Sequence, residues 1–143
     1  MLIKFTYPYN SKASINQCFN RGMVRYGYIN EVRGWKSGLT LVARNALQGQ
    51  IMHPPVQIAY IVHYPYRTRV LDAQSFSKIV QDAVVEALGF DDNSVRVASG
   101  PYIGIRLEDK KAHGFLEIFA WEIPKVVSAL PLKIKKEMLR DPQ

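Results

Sequence analysis

From Phe76 to Leu88 the apolar residues recur at steps of three and one: Phe76, Ile79, Val80, Ala83, Val84, Ala87 and Leu88. That spacing puts them on one face and predicts an amphipathic helix, with Gly89 as its stop. Just upstream, Val56–Tyr64 (VQIAYIVHY) is rich in β-branched and aromatic residues and reads as a strand. Pro65 ends it, and its exit carries Arg67, Arg69 and the lone acid Asp72. A strand whose exit loop carries an acid, followed by a helix, is a good platform for a site.

The polar side of that helix has its own order. Gln74, Lys78 and Asp82 are spaced by four, so they stack along one edge. Asp72 and Ser75 lie near the N-terminus, where backbone N–H groups favour an anion. Asp91 and Asp92 follow Gly89. Carboxylates at both ends of one helix, with a lysine between them, suit a hard divalent cation, Mg²⁺ or Mn²⁺. Such a metal activates water and neutralises a phosphodiester, while a lysine stabilises developing charge. The same residues also fit a salt-bridged helix, with Lys78 paired to Asp82, Asp72 as a cap and Asp91–Asp92 as a solvated turn. A helix of about fourteen residues is roughly 20 Å long. Asp72 and Asp92 therefore meet only if the chain doubles back after Gly89, if the helix is shorter, or if a dimer partner supplies one of them.

The remaining chain alternates strands and helices. Leu2–Tyr7 is a strand ended by Pro8, and residues 9–22 are a polar loop with Lys12 and Arg21. Tyr7, Tyr9 and Phe19 near that loop either stack on bases or pack beneath it. Val24–Ile29 is a short extended piece. Asn30 is a good N-cap for a helix to about Leu47, with Val32, Trp35, Leu39, Val42 and Ala46 inward and Arg33, Lys36 and Arg44 off that face. Val95–Ala98 and Tyr102–Leu107 read as strands around Gly100-Pro101. Phe115–Ile123 is a final strand with Leu116, Ile118, Ala120 and Glu122 on one face, and Val126–Leu139 reads as a C-terminal helix. The chain divides into residues 1–123 and a helical extension over residues 124–143, with an α+β core of a small mixed sheet and packed helices.

Charge bears on partners. The formal charge is +7, unevenly spread. Residues 1–70 hold nine Lys/Arg against one acid, Glu31 (+8); residues 71–143 hold ten against eleven (−1). This predicts a basic face from one half and an acidic site from the other, suiting an anionic partner; a merely solvated basic surface is the alternative. Cys18 is the only cysteine, which excludes an internal disulfide and a cysteine-based zinc site and suits a reducing compartment. His53, His63 and His113 show no ligand spacing. There is no apolar run that would span a bilayer, no signal peptide, no repeat, no Walker A sequence, no dinucleotide fingerprint and no nucleophile elbow.

The stretch from Asp72 to Asp92 resembles the RusA-type Holliday junction resolvases of bacteria and their phages. Their signature is an acid, a second acid two residues on followed by asparagine, a lysine four after the second acid, then Asp-Ala/Gly-Leu, and later an Asp-Asp pair. Here these are Asp72, Gln74, Ser75, Lys78, Asp82-Ala83-Val84 and Asp91-Asp92. IKFTYPYNSKASIN and GYINEVRGWKSGL resemble the family's first strand with its Asn-bearing loop and its entry to the first helix. The resemblance covers roughly residues 2–123.

It implies a small α+β homodimer that nicks opposing strands of a four-way DNA junction with Mg²⁺, in the cytoplasm of a bacterial cell. Asp72 and Asp92 would be metal ligands, with Asp91 and Gln74 beside them, and Lys78 the phosphate-stabilising lysine. Lys12, Arg21, Lys36, Arg67 and Arg69 would contact DNA. Gln74 replaces the family's second acid. In an alternative alignment Asp72 is that second acid and Val70 replaces the first. Either way one carboxylate is missing, and Asp82, on the same edge as Lys78, is the candidate to compensate. The rival expectations are a non-catalytic protein that binds branched DNA on the same fold, and an RNA-binding module that uses the aromatic groups for stacking.

Overall fold

The computed structural model describes residues 1–14, 28–66, 68, 72–90 and 96–124. The extended piece from Val24, the residues Phe19, Arg21, Arg67, Arg69, Asp91 and Asp92, and the expected C-terminal helix lie outside the described residues. Two helices and four strands are described: β1 (Leu2–Pro8), α1 (Asn30–Leu47), β2 (Val56–Tyr64), α2 (Ser77–Leu88), β3 (Val97–Arg106) and β4 (Phe115–Glu122). The strands lie in the order β1-β4-β2-β3. β4 is antiparallel to both β1 and β2, whereas β2 and β3 are parallel. A parallel pair needs a crossover, and α2 supplies it. The fold is therefore α+β, a four-stranded mixed sheet with two helices packed on it.

Alternation decides which sheet face the helices cover. Register aligns Phe5 with Ile118 and Ile118 with Tyr60, and all three are buried. Leu116, Ile118 and Ala120 turn inward from β4 and are fully buried, while Glu122 on that side is only half-buried. β2 is inward at Val56, Ile58, Tyr60, Val62 and Tyr64. Burying a side chain of this size is worth about 1.5–3 kcal/mol. From above, α2 contributes Ile79, Val80, Ala83 and Val84, all fully buried. Among the described residues no helix is long and apolar enough to cross a membrane.

Three local expectations are corrected. The first helix begins at Asn30 itself, with Ile29 in the cap position and no side-chain cap. Its inward residues are Val32, Leu39, Thr40, Ala43 and Leu47, while Trp35, Val42 and Ala46 are only partly buried. The stripe is rotated because α1 packs on α2 as well as on β1. There the Thr40 hydroxyl reaches Ala83 O at 3.1 Å. The two short strands around Gly100-Pro101 are one strand, β3. Its register with β2 shifts between Ile58 and Tyr60, so Ser99 and Tyr102 face them in turn and the Gly-Pro step is carried as an irregularity. Gln57 Nε2 donates to Gly100 O at 2.8 Å, satisfying one carbonyl there. β3 lies at the sheet edge, where a proline without an N–H is tolerated.

Candidate functional site

The carboxyl ends of the parallel strands β2 and β3 lie side by side, with Tyr64 opposite Arg106. Open sheets of this kind place ligands beyond the carboxyl ends of their parallel strands. Asp72 is here. Its carboxylate accepts from Gln74 N at 3.1 Å, and its carbonyl accepts from Ser75 N at 2.9 Å and Ser75 Oγ at 2.6 Å. These bonds wind Ala73–Phe76 into a 3-10 turn that leads directly into α2. Asp72 is thus the cap that its position before the helix suggested, and it stays exposed, as does Gln74.

The turn is tied to the sheet by tyrosines. Tyr60, buried in β2, donates its hydroxyl to Ala73 O at 2.5 Å. Gly104 on β3 leaves room for this arrangement. A Cβ there would stand 2.8 Å from Tyr64 Cε2 and 3.7 Å from Ala73 Cβ. Tyr9 packs edge-on against Tyr64 and Phe76, with centroid separations of 5.6 and 5.8 Å. Burial pushes the Tyr64 phenol up to about 12, helped by the Tyr9 hydroxyl and the Asp72 carboxylate. Tyr60 is pushed up further, by burial first, then by Tyr102, Tyr64 and Asp72. Both phenols are therefore neutral donors at neutral pH. Tyr7 and Tyr9 thus pack against aromatic side chains of α1, β2 and the 3-10 turn. Tyr7 lies edge-on to Trp35 at 5.1 Å.

Lys78 is exposed on the first turn of α2, with Nζ 3.2 Å from Asp82 Oδ1. Tyr28 donates its hydroxyl to Asp82 Oδ2. Both oxygens of Asp82 are thus engaged, one by the lysine and one by the residue that leads into α1. Asp82 holds Lys78 rather than standing open as a replacement ligand. The i, i+4 spacing exposed the Lys78–Asp82 pair; Tyr28 lies 54 residues away from Asp82, so no local pattern pointed to it.

The other candidates are scattered. Lys12 pairs with Glu31, and Lys36 Nζ lies 2.8 Å from Glu86 Oε2, so both cations already have an acid partner. Asp91 and Asp92 lie outside the described residues, but their flanks do not. α2 ends at Leu88, and Val97 opens β3 opposite Val56, the first residue of β2. Asp72 comes eight residues after Tyr64, the last residue of β2, and caps the turn that enters α2. The twelve residues of α2 span roughly 18 Å between these two ends. Among the described residues, no three His, Cys, Asp or Glu side chains come together as a metal site. Asp72 and the Gln74 amide offer hard oxygen chemistry suited to Mg²⁺, and a third ligand would have to come from Asp91 or Asp92. No protein-family model matches this chain, and no curated protein matches it.

Sequence reasoning passed over Arg106. It ends β3 on the sheet face that carries Tyr64 and Gly104, and its Nη2 donates to Thr68 O at 3.4 Å. Thr68 belongs to the connection that delivers Asp72.

Proposed function

We propose that this chain is a RusA-like, Mg²⁺-dependent endodeoxyribonuclease that resolves four-way DNA junctions as a homodimer in the cytoplasm of a bacterial cell. What supports the reading is the placement of Asp72: an exposed carboxylate at the carboxyl end of a parallel strand pair, opening the turn into α2, with Lys78 on that helix's first turn. Motif order along the chain and the basic excess of residues 1–70 agree with it. Asp72 with the Gln74 amide would hold the metal, completed by Asp91 and Asp92. Roughly 18 Å of α2 separates the two helix ends in one chain, so the homodimer would bring those two acids from the second subunit. When bound, the metal supplies an activated water and neutralises phosphodiester charge. Lys78 stabilises charge developing on the phosphate, and Asp82 aims Lys78 from one turn further along.

A second reading is a non-catalytic protein that binds branched DNA on the same fold. Gln74 favours it, because an amide stands where the family carries an acid and brings no charge to hold a cation. Incubating the purified protein with a labelled four-way junction and a linear duplex, in Mg²⁺, Mn²⁺ or EDTA, separates the two. Paired, metal-dependent nicks confined to the junction, lost in Asp72→Asn with binding retained, support the nuclease. Junction binding without nicks in either metal supports the second reading. Absence of junction binding sinks both.

A further inference from the structure

We propose that Arg106 makes a direct contact to a DNA phosphate at the Asp72 end of the sheet. The inference rests on the DNA-processing reading above and adds a residue to that site. Gly104 and Arg106 share the helix-covered face, because their register partners are Val62 and Tyr64. Ala73 sits directly above Gly104. Two residues further along a strand is roughly 6.6 Å, so Arg106 lies one step beyond Ala73, where its guanidinium reaches Thr68 O, four residues before Asp72. Leu107 N donates to Tyr64 O at 2.9 Å, which fixes the strand end carrying it.

The state of its guanidinium points the same way. Lys12, Lys36 and Lys78 are each paired with an acid. Among the described residues Arg106 has no carboxylate partner. Its bond to Thr68 O is long, 3.4 Å, and occupies one of five N–H donors. Arg106 is exposed at the strand end that faces the connection to Asp72, an acid that by itself repels phosphate. A planar guanidinium matches two phosphate oxygens at once, which an ammonium does not. An unneutralised arginine here offsets Asp72 and gives the backbone of a nucleic acid a place to dock. The competing structural role is to pin the connection to Asp72 through Thr68.

The experiment separates charge from pinning. Binding of a fluorescent four-way junction is measured in EDTA over a range of salt for the wild type, Arg106→Ala, Arg106→Gln, Arg106→Lys and Lys4→Ala. Lys4 lies on the opposite face of the sheet and serves as the control. Glutamine keeps a donor for Thr68 O but drops the charge. Each phosphate contact contributes about 0.9 to the slope of log K against log salt. Arg106→Ala and Arg106→Gln are expected to weaken binding and lower the slope by about one, with Arg106→Lys keeping the slope and Lys4→Ala keeping both. Arg106→Gln with the wild-type slope overturns the inference while leaving the DNA reading intact. A wild type that binds no junction at low salt overturns both.

Discussion

Gly34 and Gly38 stand one turn apart on α1 in opposite surroundings. A Cβ at Gly34 would meet nothing within 4 Å, while one at Gly38 would fall 2.1 Å from the Tyr7 hydroxyl oxygen. That hydroxyl donates to Trp35 O at 2.8 Å, so β1 closes onto the helix only because residue 38 has no side chain. Helix propensity alone favours alanine at both sites by about 1 kcal/mol. Gly34→Ala should therefore stabilise by roughly 0.5–1 kcal/mol. Gly38→Ala should destabilise by about 1–2 kcal/mol, because the Tyr7 ring must leave its rotamer and lose its bond. In a Tyr7→Phe background the Gly38→Ala penalty should shrink, as a double-mutant cycle by urea unfolding would report. On the other sheet face, His63 Nε2 lies 2.7 Å from Glu117 Oε1, and Lys4 Nζ lies 3.5 Å from Oε2. The hydrogen bond with His63, then Lys4, holds the Glu117 carboxyl below its ordinary 4.5. A depressed carboxylate contributes stability that is present above the unfolded value and lost as pH falls through the folded one. Glu117→Gln should thus cost stability at neutral pH and lose that cost as pH falls below the ordinary 4.5 and through the lower folded value. A constant difference across urea melts from neutral to acid pH would show that the pair contributes no linkage.

Elements were legible wherever a local period carried them. α2 follows from Phe76, Ile79, Val80, Ala83 and Val84, and β4 from its alternation, because each buries one face. The Asp72 cap and the Lys78–Asp82 pair were legible for the same reason, being contacts within four residues of sequence. β3 was not, since Gly100-Pro101 has the composition of a break and only its place at the sheet edge lets the strand run through. The buried side of α1 was also misread. Its polar Thr40 is 4% exposed, hidden because its one hydroxyl proton has two carbonyl acceptors in reach, Lys36 O in its own helix and Ala83 O, a bridge to α2. That bridge predicts a cost. Thr40→Val keeps the shape and leaves Ala83 O without this donor, so it should destabilise by about 1 kcal/mol in chemical denaturation. A neutral result would mean that packing alone sets how α1 lies on α2.

At the scale of the molecule, no local pattern could order the strands or bring Arg106 to the connection before Asp72, 38 residues away. Composition did show the excess of positive charge in residues 1–70, and the structure changes what that excess means. Lys12 and Lys36 of the basic half are neutralised by Glu31 and Glu86, the latter an acid from α2. Lys36, by hydrogen bond and by charge, holds the Glu86 carboxyl below its ordinary range. On the DNA-processing reading these pairs are a restraint on binding, because a cation shared with a carboxylate contributes less to the field that gathers phosphate. Glu86→Gln raises the formal charge from +7 to +8 and frees Lys36 while removing no cation. An exposed pair of this kind is worth up to about 1 kcal/mol. The variant should therefore fold with nearly wild-type stability and bind junction DNA about two- to fivefold more tightly at low salt. Its log K against log salt should be steeper, and the gain should fade as salt screens the field. Anisotropy titrations of both proteins across salt would test this. A gain that persists at high salt would mean that Glu86 acts through the shape of α2 rather than through Lys36.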